Sequence, residues 1–452
     1  MPLVEEIIQA VEAWQQQVAA FAAQEPEASR QLRTSEEEAR QLGQRVAQLA
    51  LQSLLSVGGK GYHGTWLICG CGGRLKYQRD AVRKVRSLVG EVSYRRAYYY
   101  CRDCGVSRVP KDEEIGQGAR EISAGVERVV GLVSAHLSFE TSAEVLREVG
   151  GVELSGRQCE TVAEGVGAEA EQRTQAEAAQ AHRQDLAPAL RLVSGEKRAA
   201  PGRVWVVEMD GVQAPIQAGT WQEVKCGVVY ELSQRVEVSR GRWVLLRRER
   251  CVVRGPVEEF RPRLWATLRR AGVRVGERVV ALGDGSEWID QTVEELFVGA
   301  TRVLDFYHVA ERVWAVASVR YGETSAAATR WAEEKLHQLK AGEISEVCRA
   351  IKLLKLEAAE AQQVRRETLR YLEPRQAQMA YDQYQADGLP IGSGAVEGSC
   401  KYLVTARCKQ AGMRWTPAGL DAILALRCWL LNERLDELRP KPKVKIEWER
   451  VA

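Results

Sequence analysis

Residues Arg203 to Val212, RVWVVEMDGV, decide how the rest of the chain is read. Branched and aromatic residues predominate, so the stretch is expected to be a β-strand that runs out at Asp210 and stops on Gly211. A period of two puts Val204, Val206, Glu208 and Asp210 on one face and Trp205, Val207 and Met209 on the other. A carboxylate at the end of an apolar strand is rigidly aimed, as metal-assisted chemistry requires. A second apolar run, VVALGDGSEWI from Val279 to Ile289, delivers Asp284 between two glycines. A third acid, Glu397, lies in GSGAVEGSCKYLVTARCKQ (residues 392–410), which reads as a helix opening after Gly394 and ending near Arg407 to Lys409. Two strand-end aspartates and a later helical glutamate suggest one metal site assembled from three distant segments. Glu208 shares a face with Asp210 and is the reserve candidate. An isolated Asp at a strand end is otherwise a common turn former.

The chain has 452 residues, enough for two to four domains, and its 45% hydrophobic content is ordinary for a globular protein. Lys and Arg number 64 against 61 Asp and Glu, a net charge of +3, so any affinity for nucleic acid has to rest on local patches. No apolar run approaches the ~18 residues of a membrane span, and the N-terminus is acidic where a signal peptide would be basic. A soluble, cytoplasmic protein is expected, with no membrane partner. The eleven cysteines are mostly isolated, which argues against a disulfide framework. No GxxxxGK[ST] loop is present, so a nucleotide-hydrolysing machine is not indicated.

Residues 1–57 read as a helical arm, interrupted at Pro26 and reopening at a capping box from Ser35 to Glu38. It is expected to pack on its own domain or to serve self-association. Residues 58–115 carry Cys69 and Cys71 as a C-x-C pair and Cys101 and Cys104 as a C-x2-C pair, 29 residues apart. A β-hairpin between two glycine-rich knuckles would bring four sulfurs onto one ion, as a structural zinc ribbon requires. Arg95 and Arg96 beside Tyr98 to Tyr100 suit DNA contact, although an ordinary hairpin surface looks much the same. Residues 116–184 form a helix-turn-helix-like region with Ser155 as an N-cap; DNA contact and a purely structural trihelical unit both fit it.

A linker from Asp185 to Gly202 leads into the catalytic core, residues 203–308 and 388–438, interrupted by a helical insertion at 309–387. Further strands are expected at Trp221–Leu232 and Arg242–Val253, the hairpin succession with which a ribonuclease-H-like sheet begins. Leu264–Ala271 reads as a helix. Thr301 to Ala317 gives a strand ending at Asp305 and a helix bearing His308, a D-x2-H pair; a buried, hydrogen-bonded histidine is the alternative for His308. The insertion's expected core is Trp314, Trp331, Leu336, Leu339, Ile351, Leu353, Leu354 and Leu372. Around Glu397, the side chains of Lys401, Arg407, Lys409 and Arg414 would hold a nucleic-acid backbone if they are not a solvated basic face. Thr416 and Pro417 open the final helix.

Taken in order, DGVQAP, WQEVKCGVVY, GDGSEWI, DFYHVAERVW and GSGAVEGSCKYLVTARCKQAGMRW resemble the DDE transposases of bacterial insertion sequences, most closely the ISKra group, a relative of the ISL and Mutator-like types. The resemblance covers roughly residues 60–435. It implies an α/β, ribonuclease-H-like catalytic domain with an all-helical insertion. It also implies Asp210, Asp284 and Glu397 as catalytic acids holding Mg2+ or Mn2+, with Asp305 and His308 near the site. The acids lie 74 and 113 residues apart, which fits that layout. Cys69, Cys71, Cys101 and Cys104 would hold Zn2+. Double-stranded DNA, as element ends and target, is the expected partner of a homo-oligomer, and nucleoid association follows. The alternatives are a DNA-binding descendant without catalysis and a stand-alone nuclease.

Overall fold

The computed structural model describes residues 2–24, 32–184, 202–239, 242–274 and 276–440, so Pro26 and almost all of the 185–202 linker lie outside the described residues. The chain divides into two compact units, one reaching Val166 and resuming at Leu435, the other spanning Gly167–Arg434.

The first unit begins with α1 (Pro2–Gln24) and α2 (Leu32–Val57). Because α2 starts at Leu32, Ser35 lies inside it and is not the expected cap. The helix packs on the ribbon that follows: Leu51 and Leu55 meet Val85, Val92 and Tyr94, and the Gln52 amide bonds the backbone of Ser93. Strands β1 (Trp66–Ile68), β2 (Arg74–Ser87), β3 (Gly90–Cys101) and β4 (Ser107–Arg108) form one antiparallel sheet in that order. A short α3 (Pro110–Glu114) precedes α4 (Ala124–Ser134), α5 (Phe139–Gly150) and α6 (Gly156–Gln184). Ser123, Ser138 and Ser155 each accept a backbone N–H of the helix they open. The helix expected at Ala143–Val149 is therefore longer, since Ser138 caps it at Phe139. Val126, Val130, Leu146, Val152, Cys159 and Val162 close a small core among these helices.

In the second unit, the chain runs through β5 (Val204–Pro215), β6 (Trp221–Glu231), β7 (Arg235–Ser239), β8 (Arg242–Leu245), β9 (Glu249–Arg254), α7 (Val257–Ala271), β10 (Arg278–Gly283), α8 (Glu287–Leu296) and β11 (Thr301–Leu304). Five of these strands make one mixed sheet in the order β11-β10-β5-β6-β9. The pairs β11–β10 and β10–β5 are parallel, and β5–β6 and β6–β9 are antiparallel. The fold is thus α/β. The single strand expected over Arg242–Val253 is two: β8 pairs only with β7 in a separate hairpin, and β9 alone joins the sheet.

The strand expected to stop at Asp210 continues to Pro215. Antiparallel pairing with β6 runs on from Asp210↔Cys226 to Pro215↔Trp221, which keeps the backbone extended. The parallel partner is shorter, because β10 pairs with β5 only from Arg278↔Val204 to Leu282↔Glu208. Asp210 therefore sits mid-strand, just beyond the carboxyl end of its parallel neighbour, where open α/β sheets place their ligands. The two faces follow the period of two. Trp205, Val207 and Met209 enter a core with Phe260, Leu264 and Leu268 of α7 and Ile289 and Val293 of α8, and Glu208 faces the opposite layer.

Helices α9 (Phe306–Tyr321), α10 (Ala326–Lys340), α11 (Ile344–Leu353), α12 (Ala359–Leu372) and α13 (Tyr381–Ala386) form the all-helical block. Leu339, Ile351 and Leu372 are fully buried in it, but Leu353, expected in its core, is 74% exposed at the end of α11. Next come α14 (Gly394–Cys400), a π-helical turn over Lys401–Thr405 and α15 (Ala406–Cys408), one continuous helical path. Helix α16 (Pro417–Leu431) is capped by Thr416, whose side chain accepts from the Gly419 amide. The last described helix, α17 (Leu435–Leu438), belongs to the first unit. Among the described residues no helix is long and apolar enough to cross a membrane.

Candidate functional site

Two acids of the second unit lie near each other where the parallel strand β10 ends, Asp210 and Asp284. Asp210 projects from β5, and its Oδ1 accepts the Gly211 amide at 2.7 Å. Asp284 follows β10 directly; its two oxygens accept from the amide and hydroxyl of Ser286 at 2.8 and 2.7 Å. Those bonds are the ones a turn-forming aspartate makes, yet each carboxylate keeps lone pairs free. The glycine after Asp284 is dictated by the turn, since Gly285 has φ +79° and a side chain there would strike Arg375 and Leu304.

Burial pushes the Asp210 carboxyl above the usual carboxylate range, and the nearby charge of Asp284 pushes it further. The Cys400 thiol hydrogen-bonds to Asp210, and His308 lies close enough for its charge to act in the opposite sense. A carboxylate whose charge is disfavoured by burial and by a neighbouring carboxylate suits a divalent cation, which would relieve it.

Glu397 stands differently. Val396, Ser399, Cys400, Leu403, Val404 and Arg407 are the buried stripe of the α14–α15 path, and Glu397 lies one step round from it, exposed, with its Oε1 2.7 Å from Lys401 Nζ. The structure therefore brings Asp210 and Asp284 together and leaves the Glu397 carboxylate on Lys401.

What fixes the Glu397 helix is a pair of buried acids. Glu208, 1% exposed, accepts the Tyr230 hydroxyl at 2.8 Å and the Val396 amide at 2.9 Å, with the Ala395 amide adding a further bond. Asp305, 2% exposed, caps α9 through the Tyr307 and His308 amides at 2.6 and 3.1 Å. Its other oxygen takes the Ser393 amide at 2.5 Å and the Ser393 hydroxyl. Both carboxylates thus meet the positive N-terminal end of α14. Asp305 and Glu208 act by positioning, with their oxygens already occupied. Burial raises Glu208 to about 7, and the Asp305 charge contributes in the same direction.

His308 is half-exposed, its Nδ1 3.6 Å from Glu311, and it lines a cavity of about 230 Å³ with Asp284, Glu311, Arg312, Ala315 and Tyr371. Tyr371 and Arg375 come from the helical insertion and clamp the Asp284 turn: the Tyr371 hydroxyl donates to the Asp284 carbonyl, and Arg375 to that of Gly285, both at 2.7 Å. No sequence signal marks Tyr371, one aromatic among many in a helical block. Arg312 had one, because it lies a single helical turn from His308.

The basic residues divide in the same way. Arg414 is exposed and Lys409 is half-buried with its Nζ 5.6 Å from the Trp221 ring centre. Arg407 is fully buried over Trp415, so it supports the fold and presents nothing to a nucleic-acid backbone. In the first unit Arg95 is exposed, but Arg96 is drawn into a buried ion cluster with Asp112, which also takes Arg83 and Tyr94.

The four cysteines of that unit converge. All their sulfurs lie within 4.8 Å of one another, with Cys69–Cys104 at 3.5 Å and Cys71–Cys101 at 3.7 Å. Metal–sulfur bonds of ~2.3 Å in a tetrahedron separate sulfurs by about 3.8 Å, so the cluster can hold a metal ion. The β2–β3 hairpin joins the two knuckles, each closed by backbone bonds: Cys69 with Gly72 and Gly73, and Cys101 with Gly105 and Val106. Among the described residues this is the one such group of three or more ligating side chains.

Glu208 gives the site a measurable pH signature. A carboxyl held near 7 in the fold and near 4.5 when unfolded binds its proton more tightly in the native state, so its contribution is complete below pH 4.5 and is lost as pH rises through 7. Unfolding free energy is expected to fall across that window by an amount on the order of 2–3 kcal/mol that Glu208→Gln abolishes. Denaturant titrations at pH 5 and pH 8 measure it, and identical slopes for both proteins would refute it.

No match to this chain was found among curated proteins. Residues 73–436 match the family described as Uncharacterised protein family (UPF0236), a span that begins just after Cys69 and Cys71 and runs past the Glu397 helix. The match covers most of the chain, and the protein belongs to the UPF0236 family.

Proposed function

We propose that this protein is a DDE transposase that binds the ends of an insertion sequence, cleaves the DNA strand there and joins it to target DNA. The observation that carries the reading is the nearness of Asp210, on β5 just past the end of its parallel neighbour, to Asp284, directly after β10, beside a helix whose N-terminus two buried acids hold in place. The strand order, with three antiparallel strands followed by two parallel ones, supports a ribonuclease-H-like core, and the helical block before Glu397 supports the insertion. The resemblance of the five sequence motifs to ISKra-group transposases points the same way.

In this reading Asp210, Asp284 and Glu397 would hold Mg2+ or Mn2+. The bound ions supply Lewis-acid activation of a water or 3′-hydroxyl and stabilise the oxygen that leaves phosphorus. The chain's part is placement. The Gly211 amide orients Asp210, the Ser286 and Tyr371 bonds orient the Asp284 turn, and Glu208 and Asp305 hold α14, on which Glu397 would have to leave Lys401 to reach an ion. Released from Glu397, Lys401 would join Lys409 and Arg414 on the DNA backbone. A DNA-binding descendant without chemistry is the second reading, favoured by one observation, the Glu397–Lys401 pair.

Zinc in the four-cysteine cluster would close the ribbon as a structural knot, since four thiolates leave no position for water. Cleavage of DNA carrying the element's terminal repeats is expected to depend on Mg2+. Asp210→Asn, Asp284→Asn and Glu397→Gln should each lower its rate roughly 10³-fold or more, about 4 kcal/mol of barrier. Tight end binding with no cleavage by any of the four proteins would transfer the assignment to the DNA-binding descendant. Elemental analysis of purified protein should give one zinc per chain, lost on Cys101→Ser; a zinc-free wild type would end the ribbon proposal.

A further inference from the structure

The cavity beside Asp284 holds a cation that the acids do not use. Arg312 projects from α9 into it, and its guanidinium carbon lies 5.2 Å from the centre of the Tyr371 ring. Arg375 lies over the same ring at 5.1 Å, but it is already bound to the carbonyls of Tyr371 and Gly285. Among the described residues Arg312 has no such commitment: stacking on Tyr371 is the contact that the structure gives it. Burial holds the Tyr371 hydroxyl above its ordinary range, so the ring stays neutral and can serve as a flat apolar floor.

We propose that Arg312 is a phosphate-binding residue: it grips a DNA phosphodiester lodged in the 230 Å³ cavity on the Asp284 side. This rests on the nucleic-acid reading of the site above. Asp284 and Glu311 line the cavity and repel an anion, so a phosphate there needs a fixed positive charge. Arginine offers a planar fork matched to phosphate oxygens, and its stacking on Tyr371 orients that fork before DNA arrives. His308, on the same helix one turn away, adds a ring nitrogen at the cavity wall.

The test uses full-length protein and a fluorescein-labelled 20-residue deoxythymidine oligonucleotide, with Ca2+ replacing Mg2+, and measures affinity over a range of salt. Removing one phosphate contact lowers the slope of log K against log salt by about 0.7 for a single strand. Arg312→Ala is expected to show that loss, and Arg312→Lys, which keeps the charge, to recover most of the slope. Methylphosphonate replacement of single phosphates should find a position that weakens wild type about tenfold and leaves Arg312→Ala unchanged. If wild type binds the oligonucleotide and both variants match its slope and its methylphosphonate profile, Arg312 does not hold phosphate, and the transposase reading stands. If wild type does not bind DNA at all, that reading fails and the inference fails with it. A thermal melt of each variant separates lost stacking from lost binding: equal melting temperatures with a changed slope support the inference, and an Arg312→Ala slope restored to wild type at a temperature where both are fully folded overturns it.

Discussion

Two buried carboxylates take up the amides at the start of one helix, and the candidate site depends on that interaction. Isolated buried charge is costly unless it is hydrogen-bonded, and Glu208 and Asp305 meet this demand with the helix-start N–H groups of Ser393, Ala395 and Val396. The exchange satisfies both sides, because the first turn of a helix has donors and no partners. It also joins three segments distant in sequence: the β5 strand, the β11–α9 junction and the Glu397 helix.

The helical insertion makes a second tie from the other side. Its Tyr371 and Arg375 bond the Asp284 turn through backbone carbonyls, adding to the bonds that the Asp284 side chain makes with Ser286. The insertion is therefore part of the site's scaffold. One acid is fixed by its strand, one by a clamped turn and one by an anchored helix, the last with its carboxylate on Lys401.

Much of this was legible in the sequence, for reasons that are local. The alternation of Val204–Asp210 told which side chains share a face, and the run VVALGDG told that an apolar strand delivers Asp284 at its end. Cysteine spacing announced a four-sulfur cluster because two knuckles and a hairpin leave little else for it to do. What failed to show was long-range. The strand through Asp210 outlasts the expected stop because β6 keeps pairing with it, and nothing in RVWVVEMDGV reports the length of its partner. Asp305 reads as a catalytic candidate from its motif, yet one of its oxygens is taken by Ser393 across 88 residues and the other by the amides of Tyr307 and His308. Arg407 and Arg96 look basic and available in sequence, and burial withdraws Arg407 while Asp112 claims Arg96.

The central claim is that Asp210, Asp284 and Glu397 form one metal site, with Glu397 the mobile member. Anomalous diffraction from crystals soaked in Mn2+ tests it most directly. The account predicts manganese density between the Asp210 and Asp284 carboxylates, with Glu397 swung off Lys401 toward it and Glu208 and Asp305 unmoved. Manganese bound elsewhere, or none at saturating concentration with Glu397 still on Lys401, would contradict it.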